Sequence, residues 1–213
     1  AFAGGGFAFS WVVGWHSVYV SVLAAAVATV AAVPVAYLAA RYRSTLTTLI
    51  DRATYVGFAF PGLVLGLALV YFGSAYAPAL YQTIPLLIFA YVVRFLPQSV
   101  GSIRSSVLQV DPRLGEAARM LGRTPMEAFR SVTLPLIAPG VVAGAALVFL
   151  TTMKELPATL LLRPTGFDTL VTYIWRVQDA GYYGQAAVPA LALVAISGLS
   201  MLVIVGREPN DVE

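Results

Sequence analysis

The chain has 213 residues, of which 59% are hydrophobic and 11% are charged, and its formal net charge is +3. A soluble domain is typically about 45–50% apolar and about 25% charged, so this composition excludes a soluble globular domain, a disordered tail and a collagen-like fibre. The sequence has no cysteine and one histidine, His16, which excludes disulfides, thiolate metal sites and histidine clusters. We therefore expect an all-α integral membrane protein.

Stretches without charged residues predict the membrane-spanning helices. A span needs roughly 20 mainly apolar residues, and Gly73, Ser74 and Pro78 divide the longest such stretch, residues 53–93, into two parts. We expect a bundle of about five spans in a single transmembrane domain over residues 1–213. Their expected bounds are about 17–40, 53–72, 82–100, 134–153 and 186–205.

The basic residues predict the orientation, because cytoplasmic loops are enriched in arginine and lysine. With five spans, nine arginines fall on one side: Arg41, Arg43, Arg52, Arg104, Arg113, Arg119, Arg123, Arg130 and Arg207. Three cations fall on the other side: Lys154, Arg163 and Arg176. We therefore expect the N-terminus outside, with the loop of about residues 104–133 and the C-terminal tail in the cytoplasm.

Two spans carry small residues four positions apart, Gly62 with Gly66 and Gly140 with Gly144. Small residues let two helices approach closely. We expect both pairs to pack against helices of this chain, with a subunit interface as the alternative.

Charged side chains within or at the end of a span are candidate pathway or gate residues. Arg94 lies about halfway along the third span, where exposure to lipid costs roughly 2.5–3.5 kcal/mol. It should therefore face a cavity or a carboxylate, or snorkel to the surface. Lys154 and Glu155 end the fourth span, and all three residues have structural ion pairing as the alternative role. His16 is expected to lie at the membrane interface.

The cytoplasmic loop contains strong local signals for two short helices. Asp111 is a good N-cap, Pro112 suits the first helical position, and Gly122 suits the left-handed position that ends a helix. Thr124 and Glu127 then have the spacing of a capping box. The loop is therefore predicted to be two short helices joined by a sharp glycine turn.

The first of these helices carries one narrow apolar face, made of Leu114, Ala117, Ala118 and Leu121. Such a helix can lie on lipid headgroups or simply connect two spans. It can also sit in a groove of a cytoplasmic partner. The number of ordered-structure signals favours docking on a partner.

The same loop resembles the EAA motif of bacterial ABC-importer permeases. The resemblance lies in Glu116-Ala117-Ala118, in Gly122, and in Val132-Thr133-Leu134-Pro135 at the family's spacing, with Val132 where the family has Ile. It implies the fold of a type I ABC importer permease, with the loop as a coupling helix on an ATPase subunit. The residues that it assigns to this ATPase contact are Glu116, Ala117, Ala118, Leu121, Gly122, Leu134 and Pro135.

Three further runs are similar to the ferric-iron branch of these permeases, namely residues 91–97, 153–164 and 166–170. That branch commonly fuses two halves, each with its own EAA loop. Only one such loop occurs here, so the chain is similar to the C-terminal half and is expected to be a fragment. Permeases for sulfate, molybdate, thiamine or polyamines share the loop and remain alternatives.

The resemblance also implies the partners: ABC ATPase subunits that hold ATP and Mg²⁺, an external substrate-binding protein, and a second permease half, fused or separate. The sequence contains no G-x-x-x-x-G-K-[ST] phosphate loop. We therefore expect no catalysis, cofactor or metal on this chain, and no nucleic-acid partner. It should be a multi-pass protein in the lipid of the bacterial inner membrane.

The external segment of about residues 154–185 is long for a connector. Pro164 and Gly166 indicate a turn, and Asp168 is expected to cap a helix that ends near Ala180. The segment is either a re-entrant gate or docking surface for an external binding protein, or an interfacial helix that only packs.

A secondary transporter or channel driven by an ion gradient is the rival function. Such proteins often carry acidic residues or broken helices near the middle of the membrane. The sequence places no Asp or Glu centrally within a predicted span, which argues against proton or sodium coupling.

Overall fold

The computed structural model describes residues 11–42 and 44–205, the last six of these as backbone only. Arg43 and Arg207, two of the nine arginines expected in the cytoplasm, lie outside the described residues, as does the C-terminal tail. All regular structure in the described part of the chain is helical. This confirms the all-α fold class.

The helices follow one another with few long connections. They are α1 (Trp11–Arg41), α2 (Thr45–Ala59), α3 (Gly62–Tyr76), α4 (Ile84–Gln109), α5 (Pro112–Met120), α6 (Pro125–Ala128), α7 (Leu134–Met153), α8 (Pro157–Leu162), α9 (Leu170–Asp179) and α10 (Ala187–Val205). A π-helical stretch, Phe129–Thr133, joins α6 to α7, and a 3₁₀ turn, Tyr183–Ala186, precedes α10.

Within the described residues, three helical stretches are long and apolar enough to cross a membrane: α1, α4 and Pro125–Met153. The third predicted span ends too early, because α4 continues beyond residue 100 to Gln109. Its polar side chains do not end the helix, since several of them bond to backbone carbonyls. Ser105 donates to the Gly101 oxygen at 3.0 Å, and Ser102 donates to the Gly140 oxygen of α7 at 3.0 Å.

The second predicted span, residues 53–72, is wrong as a single helix. The helix is interrupted between Ala59 and Gly62, and its two halves, α2 and α3, form an angle of 100°. Pro61 has no N–H to continue the hydrogen-bond ladder, and it disfavours helical backbone at the preceding residue. Phe60 is accordingly extended, with φ −82° and ψ 137°. This segment is a broken helix, with one half on each side of Pro61.

The core lies between α1, α4 and α7. One cluster of buried apolar side chains includes Ala24 and Ala28 of α1, Leu87 and Tyr91 of α4, and Val148 of α7. A second cluster lies towards the other ends of these helices and is built on Ala32, Ala36, Val100, Ile103 and Ile137. The alanines of α1 allow it to lie close to α4 along most of its length.

Both predicted glycine pairs pack within the chain. A Cβ added at Gly140 would collide with Ser106 of α4, and one added at Gly144 would stand 2.8 Å from the Ser99 hydroxyl. A Cβ at Gly66 would stand 2.8 Å from Leu161 of α8. The small residues therefore seat α7 on α4 and α3 on α8.

The two predicted sides of the membrane correspond to opposite ends of α1. At its C-terminal end, the Arg41 guanidinium donates to the Val110 carbonyl at 2.6 Å. Near its N-terminal end, His16 Nδ1 lies 3.1 Å from the Asp168 carbonyl oxygen. Asp168 in turn forms ion pairs with Arg163 and Arg176, two of the three cations expected outside.

Candidate functional site

The loop between α4 and α7 has the local structure that its sequence predicts. The Asp111 carboxylate accepts the N–H of Arg113 at 2.9 Å, which caps α5. At the other end the N–H of Gly122 donates to Arg119, and the N–H of Arg123 donates to Ala118. This pair of bonds is a Schellman motif. Gly122 has φ +87°, a conformation that glycine adopts without a Cβ penalty.

The second short helix of the loop begins with a complete capping box. The Thr124 N–H donates to the Glu127 carboxylate at 2.8 Å, and the Glu127 N–H donates to the Thr124 hydroxyl at 3.3 Å. The helix then continues through the π-helical stretch into α7 without a break. The prediction of two short helices joined by a glycine turn is confirmed.

The apolar side chains of this loop divide into an inner and an outer set. Ala118 is buried beside Ala128 and Thr133. In contrast, Met120 is 89% exposed and Leu121 is 86% exposed. The predicted single apolar face is therefore wrong in one respect: Ala118 packs inward, while Leu121 points away from the chain. The outer set, which we call the loop surface, consists of Leu114, Met120, Leu121 and Met126.

The other residues that the family resemblance assigns to the ATPase contact are divided in the same way between exposed and inward-packed positions. Glu116, Ala117, Gly122 and Pro135 are exposed. Leu134 is half-buried and packs against the cluster of α1, α4 and α7 side chains. Leu134 therefore belongs to the base of the loop rather than to its outer surface.

Two contacts that the sequence does not signal tie the loop to α1. The bond from Arg41 to the Val110 carbonyl joins residues 69 positions apart. The Tyr37 ring meets the Phe129 ring edge to face, with centroids 5.2 Å apart. A cavity of about 280 Å³ lies between these contacts and is lined by Asp111 and Glu116 among others. A displacement of the loop would therefore reach α1 as well as α7.

The structure brings two of the three candidate gate residues together. Arg94 Nη1 of α4 lies 3.5 Å from Glu155 Oε1, which follows α7, and their side chains are 23% and 6% exposed. Lys154 is exposed and takes no part in this pair. Glu155 also accepts the N–H of Ala158 at 3.2 Å, at the start of α8. Arg94 thus faces a carboxylate, which is one of the arrangements expected for it.

The ion pair lies where two broken helical segments meet. The break between α2 and α3 brings Gly62 against Arg94, and the break between α7 and α8 carries Glu155. Irregular backbone inside a membrane protein is tolerated where it is buried in protein or lines a water-filled cavity. The sequence analysis missed the first of these breaks, for which Phe60-Pro61-Gly62 was the available signal.

A buried hydrogen-bond network extends from the ion pair into the core. The Tyr91 hydroxyl lies 2.7 Å from the Thr159 hydroxyl, and Thr159 also bonds to the backbone carbonyl of Glu155. Both side chains are essentially inaccessible to solvent. Tyr91 and Thr159 were not predicted as site residues, because nothing in the sequence indicates that they meet.

A second charged cluster lies within the external segment. Asp168 bridges Arg163 and Arg176, the latter at 2.7 Å. Partial burial lowers the pKa of the Arg163 guanidinium, and the charge of Arg176 lowers it further. An arginine stays protonated under such shifts, so Arg163 keeps its charge.

Asp168 does not cap the following helix, which corrects the sequence prediction. Thr169 is the N-cap of α9, and its hydroxyl accepts the Thr172 N–H in a capping box. The Asp168 carboxylate pairs with the arginines instead, because two guanidiniums bind it more strongly than a single backbone amide. His16 stacks on Phe167 with ring centroids 4.2 Å apart.

No group of three or more His, Cys, Asp or Glu side chains among residues 11–42 and 44–205 is arranged to hold a metal ion.

Comparison with known proteins gives one family. The model of the family described as "Binding-protein-dependent transport system inner membrane component" matches residues 32–207. The chain is 42% identical over 189 residues to the Fe(3+)-transport system permease protein FbpB 2 of Haemophilus influenzae, covering 89% of this chain and 37% of that protein. It is 30% identical over 175 residues to the sulfate transport system permease protein CysT of Salmonella typhimurium, covering 75% and 63%.

The chain thus spans less than two thirds of the length of either relative. Among solved structures, it is similar to an inward-facing form of the MetNI methionine ABC transporter, with a TM-score of 0.73 and 19% sequence identity. That match covers 89% of this chain and 90% of the other. The likeness confirms the helical permease fold that the sequence predicted.

Proposed function

The chain belongs to the binding-protein-dependent transport system inner membrane components, and from this premise we propose that it passes ferric iron through the membrane under the control of a separate ATPase. The family is one of multi-pass transport subunits of ABC importers in the bacterial inner membrane. The proposal that the substrate is ferric iron goes beyond the family, and it rests on 42% identity to a ferric-iron permease.

The observation that supports ATPase coupling is the loop surface. Its side chains are large and apolar and include the two most exposed ones of the loop, Met120 and Leu121. Exposed apolar side chains on a rigidly capped helix fit a groove of a partner protein better than they fit water. We assign this surface to an ABC ATPase subunit, which would supply ATP and Mg²⁺.

The contacts of the loop suggest how a movement of the ATPase would reach the membrane. The loop is continuous with α7 and is bonded to α1 through Arg41. The Val110 carbonyl that binds Arg41 directly follows α4, so displacing the loop would pull on the ends of α1, α4 and α7. At the far end of α7, Glu155 pairs with Arg94, so we place the gate at this ion pair, with exposed Lys154 beside it.

The remaining partners follow from the same proposal. An external substrate-binding protein would deliver the substrate, and the segment after α7 is the surface we assign to it. A second permease half, fused or separate, would complete the pathway, and membrane lipid would surround both. The chain itself would hold no cofactor.

The substrate proposal is tested by uptake into proteoliposomes that contain the complete transporter and its binding protein. We expect ATP-dependent uptake of Fe³⁺ and no uptake of sulfate. Sulfate is the second candidate, because the chain is also 30% identical to a sulfate permease. Uptake of sulfate without Fe³⁺ would reject the iron proposal and leave the importer mechanism standing.

The coupling proposal is tested by co-purification of the permease with the ATPase. We expect a stable complex that Glu116→Lys weakens, and substrate-stimulated ATP hydrolysis that this variant loses. Gradient-driven flux through the permease without any ATPase would contradict the proposal and would favour a secondary transporter or channel.

A further inference from the structure

One face of the C-terminal part of α4 is polar. Arg94, Gln98, Gly101 and Ser105 follow one another at spacings of four, three and four residues. At 3.6 residues per turn these positions fall within an arc of roughly 60°. We call these four residues the polar stripe. It runs from the middle of α4 to within one turn of its C-terminal end.

Several residues on the other faces of α4 are covered by helices of this chain. Val100 and Ile103 are fully buried against α1. Gly57 of α2 lies against the Val93 carbonyl, and Gly144 of α7 lies against Ser99. The polar stripe lies between α2 and α7 and remains open. Arg94, Gln98 and Gly101 are half-buried, and Ser105 is exposed.

An open polar face in the middle of a spanning helix does not suit lipid. In hydrocarbon the arginine and the amide would keep donors without hydrogen-bond partners, at a cost of several kcal/mol in total. Such groups are tolerated where they face a water-filled cavity. The polar stripe therefore has the properties of the wall of an aqueous passage.

A passage along this stripe would be closed at one end and open at the other. At the Arg94 end, the guanidinium meets Glu155 and the first residue of α3, Gly62. At the next turn, the Thr151 hydroxyl of α7 donates to Gln98 Oε1 at 3.0 Å. At the Ser105 end, exposed residues continue to the end of α4. The open end is the one that carries the loop surface.

The charge of this wall comes mainly from its cations. In the Arg94–Glu155 pair the arginine side chain is 23% exposed and the glutamate side chain 6%. In the Arg104–Asp51 pair near the open end, the corresponding values are 38% and 19%. Arg94 Nη1 itself is buried, so the accessible part of this side chain is made of its other atoms. A solute in the passage would therefore meet the two arginine side chains more readily than their carboxylate partners.

We propose that the polar stripe is the wall of the inner half of the translocation pathway, and that Arg94 binds an oxyanion group of the transported solute. This inference rests on the proposed permease function and adds the chemistry of its substrate. The oxyanion is either the substrate itself or a ligand on the surface of a metal chelate. A planar guanidinium binds such groups through paired hydrogen bonds, whereas it repels a bare metal cation.

The test uses single cysteines, because the 213 residues contain no cysteine of their own, and any cysteine elsewhere in the transporter is first replaced by serine. Gln98→Cys and Ser105→Cys are made in the complete transporter in membrane vesicles, with the cytoplasmic side accessible to a membrane-impermeant thiosulfonate reagent. Val30→Cys is the matched control. Val30 is 74% exposed on the outer face of α1, at the same depth as Gln98, because the neighbouring Thr29 bonds to Ser99 at 3.4 Å.

We expect both stripe cysteines to react roughly tenfold or more faster than the control, because a thiol in apolar surroundings stays protonated and unreactive. If Gln98→Cys does not assemble, Ser105→Cys still decides, since it replaces a single atom. Equal rates at the stripe and control positions would overturn the assignment of the wall. Labelling needs neither iron nor ATP, so a wrong substrate under the proposed function would not change its result.

The oxyanion part is tested with two reagents of opposite charge, one carrying a sulfonate and one a trimethylammonium group. Each rate at Gln98→Cys is divided by the rate of the same reagent with a small thiol in solution. We expect this corrected ratio to favour the sulfonate by on the order of tenfold, because Arg94 lies one helical turn away. Arg94→Gln should remove the preference, and Arg94→Lys should retain it. A ratio near one in the unaltered background would overturn this part.

The source of the oxyanion is then distinguished by protection of Gln98→Cys from labelling. Citrate alone and ferric citrate are compared at equal citrate concentration. Protection by both points to a free oxyanion, and protection by ferric citrate alone points to a metal chelate. Protection by neither would contradict binding at Arg94.

Discussion

Gly62, the first residue of α3, lies directly against the guanidinium of Arg94. A Cβ at this position would stand 2.6 Å from the Glu155 carboxylate and still closer to Arg94 Nη1. The break in the second membrane segment therefore has a specific use. It allows a backbone without a side chain to approach a buried ion pair, which no other residue type would permit.

The Gly62→Ala substitution should accordingly disturb the ion pair. We expect a loss of about 1–3 kcal/mol in stability, as for overpacking of a well-filled site, together with reduced transport. The matched control is Gly14→Ala in α1, where a Cβ would meet nothing within 4 Å. That change should be neutral or stabilising by up to about 1 kcal/mol. Thermal unfolding in detergent measures both, and equal behaviour of the two variants would contradict the prediction.

The Arg94–Glu155 pair should show strong coupling in a double-mutant cycle. Glu155→Gln leaves a largely buried guanidinium without its counter-charge, and Arg94→Gln leaves a buried carboxylate. We expect each single change to cost about 2–4 kcal/mol, and the double change to cost less than their sum. The more exposed Arg104–Asp51 pair serves as the control, with an expected coupling of about 0–1 kcal/mol. Additive costs at Arg94 and Glu155 would show that the two groups do not interact.

The Tyr91–Thr159 hydrogen bond should contribute to stability without serving transport directly. Tyr91→Phe removes the hydroxyl and leaves the ring, so we expect a loss of about 0.5–1.5 kcal/mol. Tyr71→Phe is the control, because Tyr71 is exposed on α3. Removing its hydroxyl should lower the stability by less than about 0.5 kcal/mol. The substrate concentration for half-maximal uptake should not change. A large change in that concentration would indicate that Tyr91 contacts substrate.

Two helices of the chain end in the same motif, which gives an internal control for the loop. Gly122 after α5 and Gly181 after α9 have φ values of +87° and +83°, and both follow Schellman hydrogen bonds. Alanine at either position should cost about 1–2 kcal/mol, because its Cβ is strained in the left-handed region. We expect only Gly122→Ala to weaken ATPase binding. Equal ATPase binding by the two variants would show that the loop is not part of the ATPase contact.

Leu121 should matter for association and not for folding. Its side chain is almost fully exposed, so Leu121→Asp should change stability by less than about 0.5 kcal/mol. If the side chain is a central contact with the ATPase, affinity should fall by at least roughly 30-fold, or about 2 kcal/mol. Leu80→Asp, in the connection between α3 and α4, is the control at the opposite side. Unchanged affinity of the Leu121 variant in a pull-down titration would refute the contact.

The parts of the fold that could be predicted from sequence are those that depend on near neighbours. The caps at Asp111 and Thr124 and the turn at Gly122 act over three to six residues, and the structure has them as predicted. The cap of α9 was missed because its capping box has threonine at the third position, where the usual pattern has Glu or Gln. Helix caps and turns can therefore be predicted from sequence when their residues follow the usual capping patterns.

The candidate site could be predicted only in part, because its contacts are tertiary. Arg94 required a partner on energetic grounds, but nothing in the sequence selects Glu155 among the available carboxylates. The broken second span was overlooked because its hydropathy is continuous across Pro61. Hydropathy reports the surroundings of a segment, whereas the direction of its backbone depends on single residues such as proline.

Gly66 joins α3 to α8 at close range, and each of these helices begins just after a break in its own segment. The two helices that follow these breaks, α3 and α8, therefore form one rigid block. Each is connected to the helix before it by a hinge, and the two hinges lie at the same level. Such a block can tilt as a unit while the backbone hydrogen bonds within α2 and α7 stay intact. Tilting this block would break the Arg94–Glu155 ion pair and the Tyr91–Thr159 hydrogen bond, since both join it to α4.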